Sequence, residues 1–550
     1  MKNALVCLLI VFLAFWAVKP LLSSGYFSMH DDQQVVRLQQ FDKSLRAGQF
    51  PVRWVEDLGY GYGYPLFNFY HPLAYFTGEA IHLITGLGFV DSIKGVWLLA
   101  IIGSGLAMYF FAKEFFGRPG GIVAAVFYMY APYHAVDAYV RGALAELCSF
   151  VWLPLILLMA YKRRPLLTGF FLGLLMITHN LIFLPFAGLF CLWVMVIEWK
   201  SPISGTKLVI TSILIAFGLT AFFWLPSLAE KQFTLVDQLL IKNLASYKIH
   251  FLCLQQLWYS PWGFGGSTAG CIDGMSFMVG KIFFFSALTG LLVGVFKRNL
   301  VIVLAFGLFV FSLWMTTDYS KPVWDSVSLL WYLQFPWRFL EFAVLFSSFL
   351  AGTTALLFNN NKYCSVLTPV ALVAAVIVIG WKYFVPQTTF SDATDKTYRT
   401  DEFVKWRTSD SSFEYLPRGV KTIIGPLGTL VIDIDRTRVK TQNLKVVRGT
   451  AIITNENFSP GNFSFMVESD KVSVVEIQQT NFVGWKAWIN GQSAIIGDNN
   501  PYRLLTLEIP PGVHKVWGRF SDTTARKIGN LTSISCIILL GAFFVWKKKK

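Results

Sequence analysis

The side chains best suited to chemistry are charged groups set at the ends of apolar runs. His30-Asp31-Asp32 closely follows a stretch from Ala4 to Leu22 that is long enough to cross a bilayer. The pattern recurs along the chain. His134, Asp137, Arg141 and Glu146 lie between two apolar runs, His179 sits in a short turn, Glu230 and Lys231 end another run, and Arg338 opens one within Phe335-Pro336-Trp337-Arg338-Phe339. Ionisable groups at membrane level are costly and tend to be functional. His134, Asp137 and Arg141 are spaced i, i+3, i+7 and share a face if that segment is helical. Carboxylates beside cations at a lipid–water boundary suit transfer of a group carried on a lipid phosphate. A base takes the proton of an acceptor hydroxyl, and a guanidinium binds the departing phosphate through its planar fork. Adjacent residues project in different directions, so Asp31 and Asp32 do not both face one reacting centre.

Each residue has a plainer reading. Asp31 and Asp32 could cap a following helix. Arg141 and Arg338 could reach lipid headgroups, and His134 and His179 could be packing residues. Glu79 and His82, spaced i, i+3, are too few for a metal. The Gly59-Tyr60-Gly61-Tyr62-Gly63-Tyr64 repeat has no preceding strand and no following Lys, so it is a run of tight turns rather than a nucleotide loop.

Composition sets the frame. Of the 550 residues 55% are hydrophobic and only 14% charged, well below the quarter found in soluble chains. The chain is therefore expected to be a polytopic membrane protein. The net charge of +15 does not imply nucleic acid, because the excess lies mostly in short links between apolar runs and in Lys547–Lys550, as positive-inside loops require. The seven cysteines form no C-x-x-C or Cys/His cluster. Cys253 and Cys271 fall in one loop and could pair, but sequence alone does not fix their separation.

Twelve spans are expected, at about 4–22, 93–112, 120–134, 147–161, 165–178, 181–198, 208–226, 281–296, 299–315, 336–357, 365–384 and 529–546. The first is read as a retained span rather than a signal peptide, since no small-x-small cleavage site follows it. Both termini and the basic links, including Asn359–Lys362, are then cytoplasmic. The first loop, residues 23–92, lies outside. Its residues 33–47 place Val35, Leu38, Phe41 and Leu45 at helical spacing, as in an interfacial helix, and 72–88 reads as a second one. Residues 385–527 change character: alternating runs such as Val472–Ile477 and Leu504–Ile509, separated by Ser459-Pro460-Gly461-Asn462, Asn490-Gly491 and Pro510-Pro511-Gly512, predict an extracytoplasmic β-sandwich. The expected organisation is thus a transmembrane domain over 1–384, a β-sandwich domain over 385–527, and a final helix with its Lys-rich tail over 528–550.

The order of these features resembles the GT-C superfamily of membrane glycosyltransferases, and more closely a prokaryotic branch labelled "6-pyruvoyl-tetrahydropterin synthase-related" membrane protein. The matching residues include His30-Asp31, Pro51-Val52-Arg53-Trp54, Tyr64 to Pro72, Ala131 to His134, Tyr139 to Glu146, Glu230-Lys231, Ser260 to Gly266, Asp273 to Phe277, Phe335 to Arg338 and Gly484 to Trp488. The resemblance implies a GT-C-like fold, a polyprenyl-phosphate sugar as donor, and the first-loop carboxylate as base. That base is Asp31, with Asp32 as the alternative. Arg141, Arg338 and Lys231 would hold the donor phosphate. His30, His134, Asp137, Glu146, Tyr64, Asn68 and Tyr70 would line the pocket. No metal is assigned, although some members of the superfamily use a divalent ion, and the label gives no licence for pterin chemistry. The acceptor would be an extracytoplasmic hydroxyl of a glycan, lipid or protein, in the cytoplasmic (inner) membrane of the cell. Trp485 and Trp488 are read as sharing one strand face and forming a sugar platform, or else as filling the sandwich core. The alternatives are a transporter, which calls for midplane charges and an internal repeat, and a non-catalytic scaffold.

Overall fold

The computed structural model describes residues 2–242, 246–357, 363–425, 430–435 and 442–549. The expected inner link Asn359–Lys362 and the last tail residue, Lys550, lie outside them. The chain forms two compact units. The first comprises residues 1–32, 76–218 and 246–394; the second comprises 33–75, 219–245 and 395–550.

The first unit is a bundle of apolar helices. Among the described residues seven helices of the chain are long and apolar enough to cross a membrane, and an eighth is counted if Asn3–Leu13 and Phe15–Leu22, bent by 48°, make one span. Pro165–Thr178, Lys281–Phe296 and Leu300–Thr316 are shorter apolar helices, and each falls on an expected span. Two expected spans merge in Phe89–Met129, whose path breaks at Gly117 (φ 69°) just before Pro119. Only glycine adopts that angle without strain. The expected span at 120–134 stops at Met129, because Pro132 opens a separate turn. Leu340–Ala351 packs against Phe89–Met129, Lys281–Phe296 and Leu300–Thr316 and is buried on every side. An all-round apolar helix belongs in such a core. Cys253 and Cys271 form a disulfide, with Cα atoms 5.5 Å apart.

The unit also holds a small ribbon, β1 (Tyr26–Phe27) paired antiparallel with β2 (Thr389–Phe390).

The second unit is built on a β-sandwich. Its strands are β3 (Thr422–Ile424), β4 (Leu430–Ile432), β5 (Leu444–Arg448), β6 (Ile452–Ser459), β7 (Asn462–Ser469), β8 (Ser473–Thr480), β9 (Trp485–Ile489), β10 (Gln492–Ala494), β11 (Ile496–Gly497), β12 (Leu504–Ile509) and β13 (Gly512–Phe520). One sheet has the order β10-β9-β13-β7-β6 and the other β11-β12-β8-β5, while β3 and β4 form a separate ribbon. Alternation along the strands turns Phe463, Phe465, Val467 and Val516 of one sheet toward Val475, Ile477, Leu505 and Leu507 of the other. The three turn signals fall where expected: Gly461, Asn490-Gly491 and Gly512 all have positive φ.

Two expectations change here. Residues 33–47 form the helix Gln34–Arg46, but it is no surface helix. Val35, Leu38 and Phe41 are buried, and so are Gln34, Arg37, Gln39 and Gln40. They find partners inside the unit: Gln39 donates to the Asp395 carbonyl, Gln40 to Asp57 and Arg37 to Ser412. The first loop is also not an appendage of the helical bundle. Its Trp54 is fully buried in the sandwich core, 5.2 Å from the Trp485 ring and 4.8 Å from Phe520, with Nε1 donating to Gln479. The sandwich alone leaves a gap that only a distant segment fills.

Trp54→Ala is expected to destabilise the second unit by about 3–5 kcal/mol, the usual cost of emptying a large aromatic site. Limited proteolysis of the full chain, followed by blotting for the 444–520 region, checks this. Unchanged protection would mean that Trp54 is not part of the core.

Candidate functional site

The first-loop carboxylates are positioned by backbone pairing. Beyond the β1–β2 ribbon, the Ser28 N–H donates to the Thr388 carbonyl. The His30 N–H then donates to the Val140 carbonyl at 3.0 Å, and the Asp31 N–H to the Arg141 carbonyl at 2.8 Å. His30 Nε2 meets the Phe264 carbonyl at 2.9 Å. This approach needs Gly142. It ends the preceding turn at φ 68°, and a Cβ there would lie 2.2 Å from the Met29 sulfur. Asp31 is half-buried and Asp32 buried. Neither is the N-cap of Gln34–Arg46, a place taken by Gln33.

Behind this segment lies a buried ion network centred on Glu146. Its Oε2 receives Arg141 Nη2 at 2.9 Å, Arg338 Nε lies at 3.3 Å and His179 Nε2 at 4.0 Å. Tyr133 donates to its Oε1 at 2.5 Å. Arg141 also bonds Asp137, and Arg338 Nη1 donates to the Leu333 carbonyl at 2.8 Å. The Arg141 guanidinium stacks over the Trp337 ring at 4.5 Å. All four of Asp137, Arg141, Glu146 and Arg338 are buried. Burial pushes the Asp137 carboxyl well above the usual carboxylate range. The Glu146 carboxylate pushes the same way, and Arg141 opposes both. Asp137 therefore tends to keep its proton, and the two guanidiniums are balanced chiefly by Glu146.

Three members of this network were not singled out in the sequence. Tyr133 and Ser149 look like ordinary interfacial residues. Ser149 bonds Glu341, a fully buried carboxyl in the first turn of Leu340–Ala351. Glu341 carried a legible signal, being an acid inside an apolar run.

His134, expected to share a face with Asp137 and Arg141, does not join them. The chain widens to an i→i+5 turn over Val136–Arg141, so the helical spacing is lost. His134 is fully buried; its Nδ1 meets the Tyr128 carbonyl and its ring stacks on Phe150 at 4.4 Å. It packs rather than lines an opening.

The remaining expected residues belong to the second unit. Asn68 is buried between Arg53 and Glu230, accepting from the first at 2.9 Å and donating to the second at 2.9 Å. Glu230 also takes Arg526 Nη2 at 2.7 Å and Thr523 at 2.5 Å. Burial and the nearby Arg526 pull the Arg53 guanidinium down to about 10. Tyr64 is buried and stacks on Tyr415, and Tyr70 lies 4.2 Å under the Arg37 guanidinium. Lys231 is partly exposed and pairs with Asp237 at 3.3 Å. Trp485 and Trp488 do not share a face. They are an odd number of residues apart on β9, so Trp485 enters the core while Trp488 stacks on Trp517 at 3.9 Å across the strand pair. Among the described residues no three His, Cys, Asp or Glu side chains come together as a metal site.

No family model and no curated protein matches the chain. Solved structures similar to it include the arabinofuranosyltransferase AftD from Mycobacteria, at 16% identity over 70% of this chain and 27% of that one, with a TM-score of 0.42. Another is the Archaeoglobus fulgidus oligosaccharyltransferase in the apo form, at 12% identity over 75% of this chain and 56% of that one, with a TM-score of 0.37. The chain thus spans about a quarter of the first and just over half of the second.

Glu146→Gln should destabilise the protein by about 3–5 kcal/mol, because it strands two buried guanidiniums. Thermal unfolding in detergent measures this, and a melting point equal to wild type would show that the network is not closed. Asp137→Asn should behave differently. A carboxyl raised on folding contributes stability below its unfolded value, near 4, and that stability is lost as pH rises through the folded value. The wild-type melting point should therefore fall with rising pH over that window, and the variant's should fall less. Parallel curves would count against a protonated Asp137.

Proposed function

We propose that the chain is a membrane glycosyltransferase that moves a sugar from a polyprenyl-phosphate donor to a hydroxyl of a glycan, lipid or protein. One observation carries the reading: the Asp31 N–H on the Arg141 carbonyl ties the backbone of a half-buried aspartate to the turn that carries one of two buried guanidiniums sharing Glu146. In this reading Asp31 takes the acceptor proton. Arg141 and Arg338 steady the departing phosphate with the N–H groups that Glu146 and the Leu333 carbonyl leave over, and the Trp337 face holds Arg141 flat. Glu146 acts through the arginines as a positioning residue. Asp32 is the alternative base.

The reaction is assigned to the extracytoplasmic side of the inner membrane. The Cys253–Cys271 disulfide supports this, since disulfides persist in oxidising compartments, and it lies in the same unit as Asp31 and contributes the neighbouring Phe264.

The internal pairing of Arg141 and Arg338 would also serve a non-catalytic scaffold, and one experiment separates the two. Membranes containing wild type or Asp31→Asn at equal levels are supplied with radiolabelled polyprenyl-phosphate sugars. The enzyme reading expects transfer by wild type and a loss of at least about a hundredfold in the variant, the usual range for removing a general base. Transfer that survives Asp31→Asn moves the base to Asp32. No transfer from any donor, in membranes that also supply the native acceptors, favours the scaffold.

A further inference from the structure

A separate cleft of about 500 Å³ lies wholly within the second unit. That is ample for a small ligand, since such pockets run about 300–1,000 Å³. One wall is a paired edge: the Leu235 N–H donates to the Leu416 carbonyl at 3.1 Å and the Arg418 N–H to the Phe233 carbonyl at 2.7 Å. This wall presents the half-exposed Phe233 ring, which meets Phe482 edge to face at 6.4 Å. Phe482 and Trp485 form the apolar lining below. Trp485 is 92% buried, yet its Nε1 has no hydrogen-bond partner among the described residues.

The opposite wall is a fixed polar array. Asp498 Oδ2 accepts from Arg503 Nη2 at 2.9 Å and from Asn481 Nδ2 at 3.1 Å. Arg503 is held at φ 55°, an uncommon angle for a side-chain-bearing residue, with its carbonyl receiving the Asn481 N–H at 2.6 Å. Strain that the surroundings maintain is a mark of sites that need exact placement. The array therefore sets a carboxylate, an amide and a guanidinium side by side, facing aromatic rings.

We infer that this cleft binds an oligosaccharide segment. Aromatic rings pack against the C–H faces of a pyranose. Planar carboxylate, amide and guanidinium groups bind neighbouring hydroxyls in pairs. A lipid tail would take this charged wall out of water and offer it no new hydrogen bond. Arg418, exposed on the rim, gains from a uronate or other acidic sugar, so the ligand is a glycan whether neutral or acidic. The inference goes beyond the transferase reading and does not rest on Asp31.

The test uses the purified full-length chain in lipid nanodiscs, with no lipid-linked donor added, on an array of neutral and uronate-bearing oligosaccharides. Binding to at least one member is expected, weakened about tenfold or more by Asp498→Ala and by Phe233→Ala, which is the effect of one good contact. Gln232→Trp, at an exposed rim position away from the core, should block binding without lowering the melting point. Preference for neutral or acidic members identifies the sugar class. No binding to any member, or binding that survives Gln232→Trp and Asp498→Ala, overturns the inference. Because donor and turnover are absent, failure here leaves the Asp31 reading untouched, and failure of that reading leaves this one standing.

Discussion

A guanidinium taken out of water must find a partner, and in the first unit that requirement converges on one carboxylate. Glu146 serves Arg141 directly and lies within ion-pair range of Arg338. Desolvating three charges is affordable only if geometry is good and the leftover donors are met. Hence the other features: the Tyr133 hydroxyl on the second oxygen, the Leu333 carbonyl under Arg338, and the indole of Trp337 against Arg141. The helices that bring these groups together are themselves apolar, so the guanidiniums depend on the few carboxyls of this cluster, Asp137 and Glu146 above all. The backbone of the first loop then docks on the carbonyls that this turn leaves open.

The second unit solves the same problem differently. Glu230 gathers Arg526, Asn68 and Thr523, while Arg53 is held by amide and carbonyl oxygens. Arg37 is the exception. It is buried without a carboxylate partner among the described residues; it bonds the Ser412 hydroxyl, meets the Tyr75 side chain and rests on the Tyr70 ring. A ring face attracts a cation by about 2 kcal/mol when desolvated, which is less than an ion pair supplies.

How far the sequence reveals this depends on the range of the interaction. The apolar helices, the strands of the sandwich and its three turns were legible because each is set by local pattern. So was the clustering of Asp137, Arg141, Glu146 and Arg338, since charged groups at the ends of apolar runs have few places to go. His134 was misjudged because its shared face assumed regular α-helical spacing, and the turn over Val136–Arg141 is wider. Gln34–Arg46 has the periodicity of a surface helix, yet its glutamines find partners at Asp57 and Asp395 that no local window contains. Trp485 and Trp488 were a matter of strand parity. The roles of the charged residues are not carried by pattern at all.

The placement of Trp54 sets an order of events. It bonds Gln479, 425 residues away along the chain. At about 5–20 residues per second of synthesis, the indole waits roughly 20–90 s for the strands that will enclose it. Through that interval the indole has no core to enter. The sandwich, in turn, cannot complete its core from its own sequence. The sandwich is thus closed by a segment made long before its strands, so a chain truncated before residue 520 would leave both incomplete.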